Sequence, residues 1–183
     1  MIGIMGKTVL ILAAVLGLTG LYGCGKGKQE AVYDTVISSL TQEQSYAYVE
    51  IGEDALPLLL VADGTYDYGE GIQAAIACNV YYAWDGKVQG LGEIASDGTA
   101  YPISFDQDGI YTAGGHYVAR YLPDAQTKKL AVVEFASEVS DEDGNASYTG
   151  SNQEGEEQTD GDSSVLDDLF EKFGNAKAVN FGK

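Results

Sequence analysis

Apolar positions along the chain fall into four patterns, each predicting a different element. Thr8–Gly20 (TVLILAAVLGLTG) is an unbroken apolar run of 13 residues. From about 30 to 42, Val32, Val36, Ile37 and Leu40 recur at i, i+4, i+5 and i+8, with Asp34, Ser38 and Ser39 between them. That spacing lines one face of a short helix. From about 45 to 137, β-branched and aromatic runs alternate with Asp-Gly pairs at 63–64, 85–86, 97–98 and 108–109. Asp-Gly suits the two positive-φ positions of a type I′ turn, and its recurrence predicts antiparallel hairpins. The clearest hairpin is Val80–Trp84, Asp85-Gly86, Lys87–Leu91; further strands are expected at Tyr46–Ile51, Leu56–Ala62, Tyr101–Phe105, Ile110–Ala113, Tyr117–Leu122 and Leu130–Ala136. Gly69–Gly71 reads as a loop. In the last pattern Val165, Leu166, Leu169, Phe170 and Phe173 line one face of a helix, with Ser164 as cap, Asp167 three residues on and Gly174 at its end. Ala176–Phe181 reads as a final strand.

The segment between these last two regions is of another kind. From Asp141 to Asp168 there are ten acids and no Lys or Arg, in a background of Ser, Asn, Gly and Gln. Such composition buries too little apolar surface to offset ordering, so residues 138–162 are expected to form an acidic, disordered loop. The expected organisation is a signal over 1–23, a tether over 24–30, a β-rich domain with a leading helix over 31–137, the loop, and a helix and strand over 163–183. The fold class is α+β and mostly β: an antiparallel meander with a short N-terminal helix, and a C-terminal amphipathic helix docked on the sheet.

The first apolar run is too short for a membrane span, which needs about 20 residues. It has the length of a signal-peptide core, and Met1–Lys7 before it carries one positive charge. Leu21-Tyr22-Gly23-Cys24 follows and resembles the lipobox of bacterial lipoproteins: Leu at −3, a small residue at −1, then Cys. The resemblance implies cleavage before Cys24 and a diacylglyceryl group, with acyl chains such as palmitate, on its thiol. Two chains give stable anchoring where one is marginal. The expected location is therefore the extracytoplasmic face of the cell membrane, with the membrane itself as a partner. Gly25–Glu30 (GKGKQE) reads as a flexible tether whose two Lys can rest on head groups.

A second resemblance lies in Ser45–Gly64 (SYAYVEIGEDALPLLLVADG). It is similar to the Y-A-x-x-D-I-D-G-D-G-x-x-E-L-L-L unit of secreted bacterial proteins of FG-GAP or VCBS type, which small lipoproteins also carry after a short helix. The resemblance covers about Val32–Leu122 and implies a β-meander in a cell-surface setting. In that family the acidic loop can hold calcium. Here Glu50-Ile51-Gly52-Glu53-Asp54-Ala55 alters two expected ligands and lacks a Gly.

Charge and composition narrow the function. The chain of 183 residues has a formal charge of −18, and the discarded segment holds one Lys and no acid, leaving about −19 on the remainder. Nucleic acid and bare anionic lipid are both disfavoured as partners by repulsion from so acidic a chain. With Cys24 acylated, Cys78 has no intrachain partner, and its apolar setting (Ala74–Val80) marks a small core residue. The one histidine, His116, lies in Gly114-Gly115-His116 with no activated nucleophile in sight, and one His with one usable Cys does not make a conventional zinc site. No cofactor and no catalytic residue is expected. Asp141, Asp143 and Asn145, with Glu50 and Asp54, offer hard oxygens of the kind calcium prefers, but in incomplete spacing. Tyr is abundant at 13 residues, and those at 46, 48, 66, 68, 81, 82, 101, 111, 117 and 121 could pack in the sheet or form a face for an envelope protein or glycan. Tyr81 and Tyr82 must point to opposite faces. The leading expectation is a non-enzymatic binding module; a calcium- or cation-binding module and a hydrolase using an acid pair are the alternatives.

Overall fold

A computed structural model describes residues 30–52, 55–152, 155–160 and 162–182. The signal segment, Cys24 and Asp54 lie outside them. The fold is α+β and mostly β, antiparallel throughout. A 3-10 turn (Ala31–Tyr33) leads into a single helical turn, α1 (Asp34–Ile37). The strands are β1 Ser45–Val49, β2 Leu58–Ala62, β3 Tyr66–Gly69, β4 Ile72–Ala74, β5 Ala77–Trp84, β6 Lys87–Ala95, β7 Ser104–Phe105, β8 Ile110–Gly114, β9 Tyr117–Asp124, β10 Lys129–Ser140, β11 Ala146–Asn152, β12 Gly155–Asp160 and β13 Lys177–Ala178. Helix α2 spans Ser164–Asn175.

The expected meander is divided over two packed sheets. One has the order β1-β2-β5-β6, the other β12-β11-β10-β9-β8-β7-β13, and β3-β4 is a separate hairpin. Asp85-Gly86 closes the β5–β6 hairpin with φ 51° and 73°, as its sequence predicts. Glu70-Gly71 (φ 53° and 81°) does the same for β3–β4, where a loop was expected. Asp63-Gly64 and Asp97-Gly98 instead carry the chain out of the first sheet, after β2 and after β6.

Layering explains the burial pattern. Leu58, Leu60, Val80, Leu91 and Ile94 face Ile103, Ile110, Val179 and Phe181 in the core between the sheets. The outer face of the first sheet (Leu59, Val61, Ala83) is covered by Tyr33, Val36, Ile37 and Leu40 of the N-terminal turns. The outer face of the second (Tyr111, Ala113, Val118, Ala136) is covered by Leu166 and Leu169 of α2. Strands β2 and β8, central and covered on both sides, are buried at every residue. This is why Leu58–Ala62 reads as a continuous apolar run instead of alternating.

Several sequence expectations need correction. The described residues between 138 and 160 are not a disordered loop: β10 continues to Ser140, and β11 and β12 extend the second sheet. Composition misleads here because β11 draws its order from ladder bonds to β10 and from Tyr148 beneath α2. The leading helix is two short turns rather than one helix over 30–42, consistent with three β-branched residues in Thr35-Val36-Ile37. Strands begin at Leu58 and Ser104, just past Pro57 and Pro102, which have no N–H to give a ladder. Gly174 lies inside α2, and Ser163 precedes the helix, its hydroxyl donating to Asp167 at 2.6 Å.

The segment after α2 stitches the layers together. β13 pairs with β7; Val179 N–H donates to Ile103 O, Phe181 N–H to Gln73 O, and Tyr46 and Gly182 exchange both backbone bonds at 2.9 Å. One short stretch thereby joins both sheets and the β3–β4 hairpin.

Candidate functional site

A cleft of about 620 Å³ runs between α2 and the outer face of β10 and β11. A bulge between Val132 and Glu134 shifts the register of β10 against β9, so that Glu134 is placed opposite Arg120. Glu134 lies on the floor of the cleft, accepting from Arg120 Nε at 2.9 Å and from Lys172 Nζ of α2. Arg120 Nη1 also donates to the carbonyl of Asp108 at 2.7 Å. Gly150 lets the helix approach: a Cβ there would sit 3.0 Å from the Val165 Cβ. Beyond this contact the cleft is walled by Asn152, Asp168, Glu171 and Asn175.

The electrostatics of the cleft centre on Glu134. Partial burial would raise the Glu134 pKa, but the Lys172 and Arg120 hydrogen bonds outweigh it and hold the carboxyl below its usual range. Glu134 is thus a fixed anion, not a proton donor waiting near neutrality. The other resolved carboxyl shifts are also downward: Asp124 and Asp162 through backbone N–H groups of Gln126 and Ser164, and Asp141 through Asn145. A hydrolase would require a carboxyl held protonated in a cleft; none of these four supplies it.

Of the calcium candidates, Asp141, Asp143 and Asn145 share one hairpin turn, away from Glu50. Asp141 closes the β10–β11 hairpin, its carboxylate accepting from the N–H of Asp143 at 3.0 Å, the N–H of Asn145 at 2.8 Å and Asn145 Nδ2 at 2.9 Å. Those donors take the place a cation would need. Glu50 is in the loop after β1, on another part of the molecule. Among the described residues no group of three or more His, Cys, Asp or Glu side chains converges as a metal site. Cys78 is buried in the core between the sheets, and burial pushes its thiol pKa up. His116 is exposed in the β8–β9 turn, 3.5 Å from Glu138.

The tyrosines are dispersed. Tyr81 packs on the outer face of the first sheet and Tyr82 on its inner face, as strand alternation requires. Tyr46, Tyr48 and Tyr33 pack under the N-terminal turns, and burial together with Glu30 pushes the Tyr48 pKa up to about 12. Tyr101 contacts Phe170 and Phe173 of α2, and Tyr111 is buried with its hydroxyl on Asp106. Tyr66 and Tyr68 stack edge to face on the β3 hairpin, where Tyr68 is exposed.

A comparison with protein-family models, curated proteins and solved structures finds no match to this chain. Sequence reasoning missed the Arg120–Glu134–Lys172 triad. Its signal was present in Leu130–Ala136, where one acid interrupts an apolar strand and needs a cationic neighbour.

Proposed function

We propose that the chain is a lipid-anchored, extracytoplasmic binding module without enzymatic activity. The observation that carries this reading is the 13-residue apolar run Thr8–Gly20 followed directly by Leu21-Tyr22-Gly23-Cys24, a few residues ahead of a well-packed domain. Among the described residues no helix is long and apolar enough to cross a membrane. Acylation of Cys24 would hold the domain at the membrane surface, and mass spectrometry of protein from its native host tests it directly. An unmodified thiol at Cys24, or an intact Met1, refutes the anchor.

The surface best suited to a partner is the cleft beside α2. Its amide, hydroxyl and carboxylate groups favour a polar ligand, either an envelope protein or a glycan. Lys172 already serves Glu134, which leaves Asp168 and Glu171 as the charges a ligand meets. Binding screens against cell-wall polymers, glycans and envelope proteins should yield a ligand whose affinity falls at least tenfold in Asp168→Arg. A ligand bound equally well by that variant moves the site elsewhere, and failure with all three classes leaves the binding role without support.

A further inference from the structure

Trp84 ends β5 at one end of the sandwich. We infer that this end rests on the lipid head groups, with Trp84 and its neighbouring lysines at the membrane–water interface. The inference rests on the lipid-anchor reading and adds to it an orientation and a contact surface.

The strand registers define the end. In the first sheet Val49 pairs with Leu58, Leu59 with Tyr81, and Trp84 with Lys87; in the second, Phe105 pairs with Ile110 and Asp124 with Lys129. The β1–β2, β5–β6, β7–β8 and β9–β10 turns therefore lie together. Gly52 N–H donates to Gln107 O, and Lys128 Nζ lies 4.3 Å from the centre of the Trp84 ring, so the two sheets touch here. His116 and Asp97 belong to the turns at the opposite end.

The described chain enters at this same end. Glu30 borders a cleft with Tyr48, Glu50 and Gly52, and the adjoining Ile51 borders an apolar pocket of about 230 Å³ with Leu56, Tyr82, Trp84, Leu122 and Pro123. From Cys24 to Glu30 is six residue steps, a reach of at most about 22 Å. A domain of this size is about 38 Å across. An anchor at Cys24 therefore lets the entry end touch the membrane and keeps the far end away from it.

The chemistry of this end suits an interface. Trp and Lys pair an apolar body with a polar tip, which places them where hydrocarbon gives way to water. Lys87, Lys128 and Lys129 are exposed around the half-buried Trp84. They are three of the ten basic residues in the whole chain. They surround the ring beside Asp85 and Asp124, while Glu50, Asp106 and Asp108 lie in the other two turns of this end, so the cations are concentrated at Trp84 itself. The backbone also holds the arrangement: Lys128 sits at φ 56°, in a turn closed by Asp124 accepting from Gln126 N–H and Thr127 Oγ1, both at 2.7 Å.

Trp84 is the chain's one tryptophan, so its emission reports on this end alone. The test uses the lipidated full chain in vesicles of phosphatidylglycerol and phosphatidylcholine carrying a spin label at head-group depth. Trp84 emission should be quenched at least twofold more than that of a Trp84→Phe/His116→Trp variant, whose probe is at the far end. Lys87→Glu with Lys129→Glu leaves the Lys128–Trp84 contact in place and should weaken the contact about fivefold per lysine. Equal quenching at the two positions, or none at Trp84, overturns the orientation when mass spectrometry of the same sample shows acylated Cys24. An unacylated Cys24 overturns the anchor and the orientation with it.

Discussion

Replacing Glu134 with Gln keeps the shape of the side chain but removes the charge that Arg120 and Lys172 share. The Glu134 and Arg120 side chains are only 20% and 19% exposed, whereas Lys172 is 49% exposed. A hydrogen bond to a charged group in such a setting contributes about 1.5–3 kcal/mol. The half-exposed Lys172 adds less than about 1 kcal/mol, because water screens it. The Gln oxygen still accepts one bond, so the net loss should be about 2 kcal/mol. For a domain of roughly 150 residues that is a fall in Tm of about 4–8 °C near neutral pH. The pH dependence makes the test specific. The folded pKa of Glu134 is depressed, so its stabilisation is present above the unfolded value of about 4.3 and is lost as pH falls through the folded value. Protonated wild-type Glu134 then resembles the variant. Calorimetry of both proteins from about pH 7 to about pH 3 should show the Tm gap closing, with the effect of the acidic background largely cancelling in the difference. A gap that stays constant with pH, or one below about 1 °C at neutrality, refutes the account of the triad.

Three further outcomes test other parts of the structure. Gly150→Ala forces a Cβ to 3.0 Å from the Val165 Cβ and should cost about 1–3 kcal/mol in chemical denaturation; Val165→Ala removes the two γ-carbons at 3.3 Å but keeps that Cβ, and should restore only part of it. Lys128→Ala loses the ring contact but keeps the positive φ, whereas Lys128→Gly relieves the backbone. The Gly variant should therefore melt higher than the Ala variant by about 1 kcal/mol equivalent, with Trp84 emission altered in both. Cys78, buried with a raised thiol pKa, should resist alkylation in the native protein at mildly alkaline pH and react once denatured; rapid native labelling contradicts its place in the core.

Elements with a strong local signal were legible. The Asp85-Gly86 hairpin, the amphipathic face of α2 and the apolar run of β2 each follow from spacing or turn chemistry within about ten residues. What was not legible depended on distant partners. Strand β11 looks structureless by composition because its order comes from β10 and α2, which composition does not see. Asp97-Gly98 makes a turn as expected, but local chemistry does not tell a hairpin from a crossing between sheets. The cleft is a product of the β10 bulge and of Gly150 beneath Val165, and neither leaves a distinctive pattern. Lys128 over Trp84 joins residues 44 positions apart and has no local trace.

The backbone exchange between Tyr46 and Gly182 has a bearing on how the molecule is made. Chains emerge from the ribosome at about 5–20 residues per second, N-terminus first. The first strand of the first sheet is therefore available many seconds before the residues that clasp it. Until residues 177–182 arrive, the edges of β1 and β7 stay open and Val179 and Phe181 are missing from the core between the sheets. Closure of both sheets thus waits for residues 177–182, so removing these few residues would be far more damaging than their number suggests.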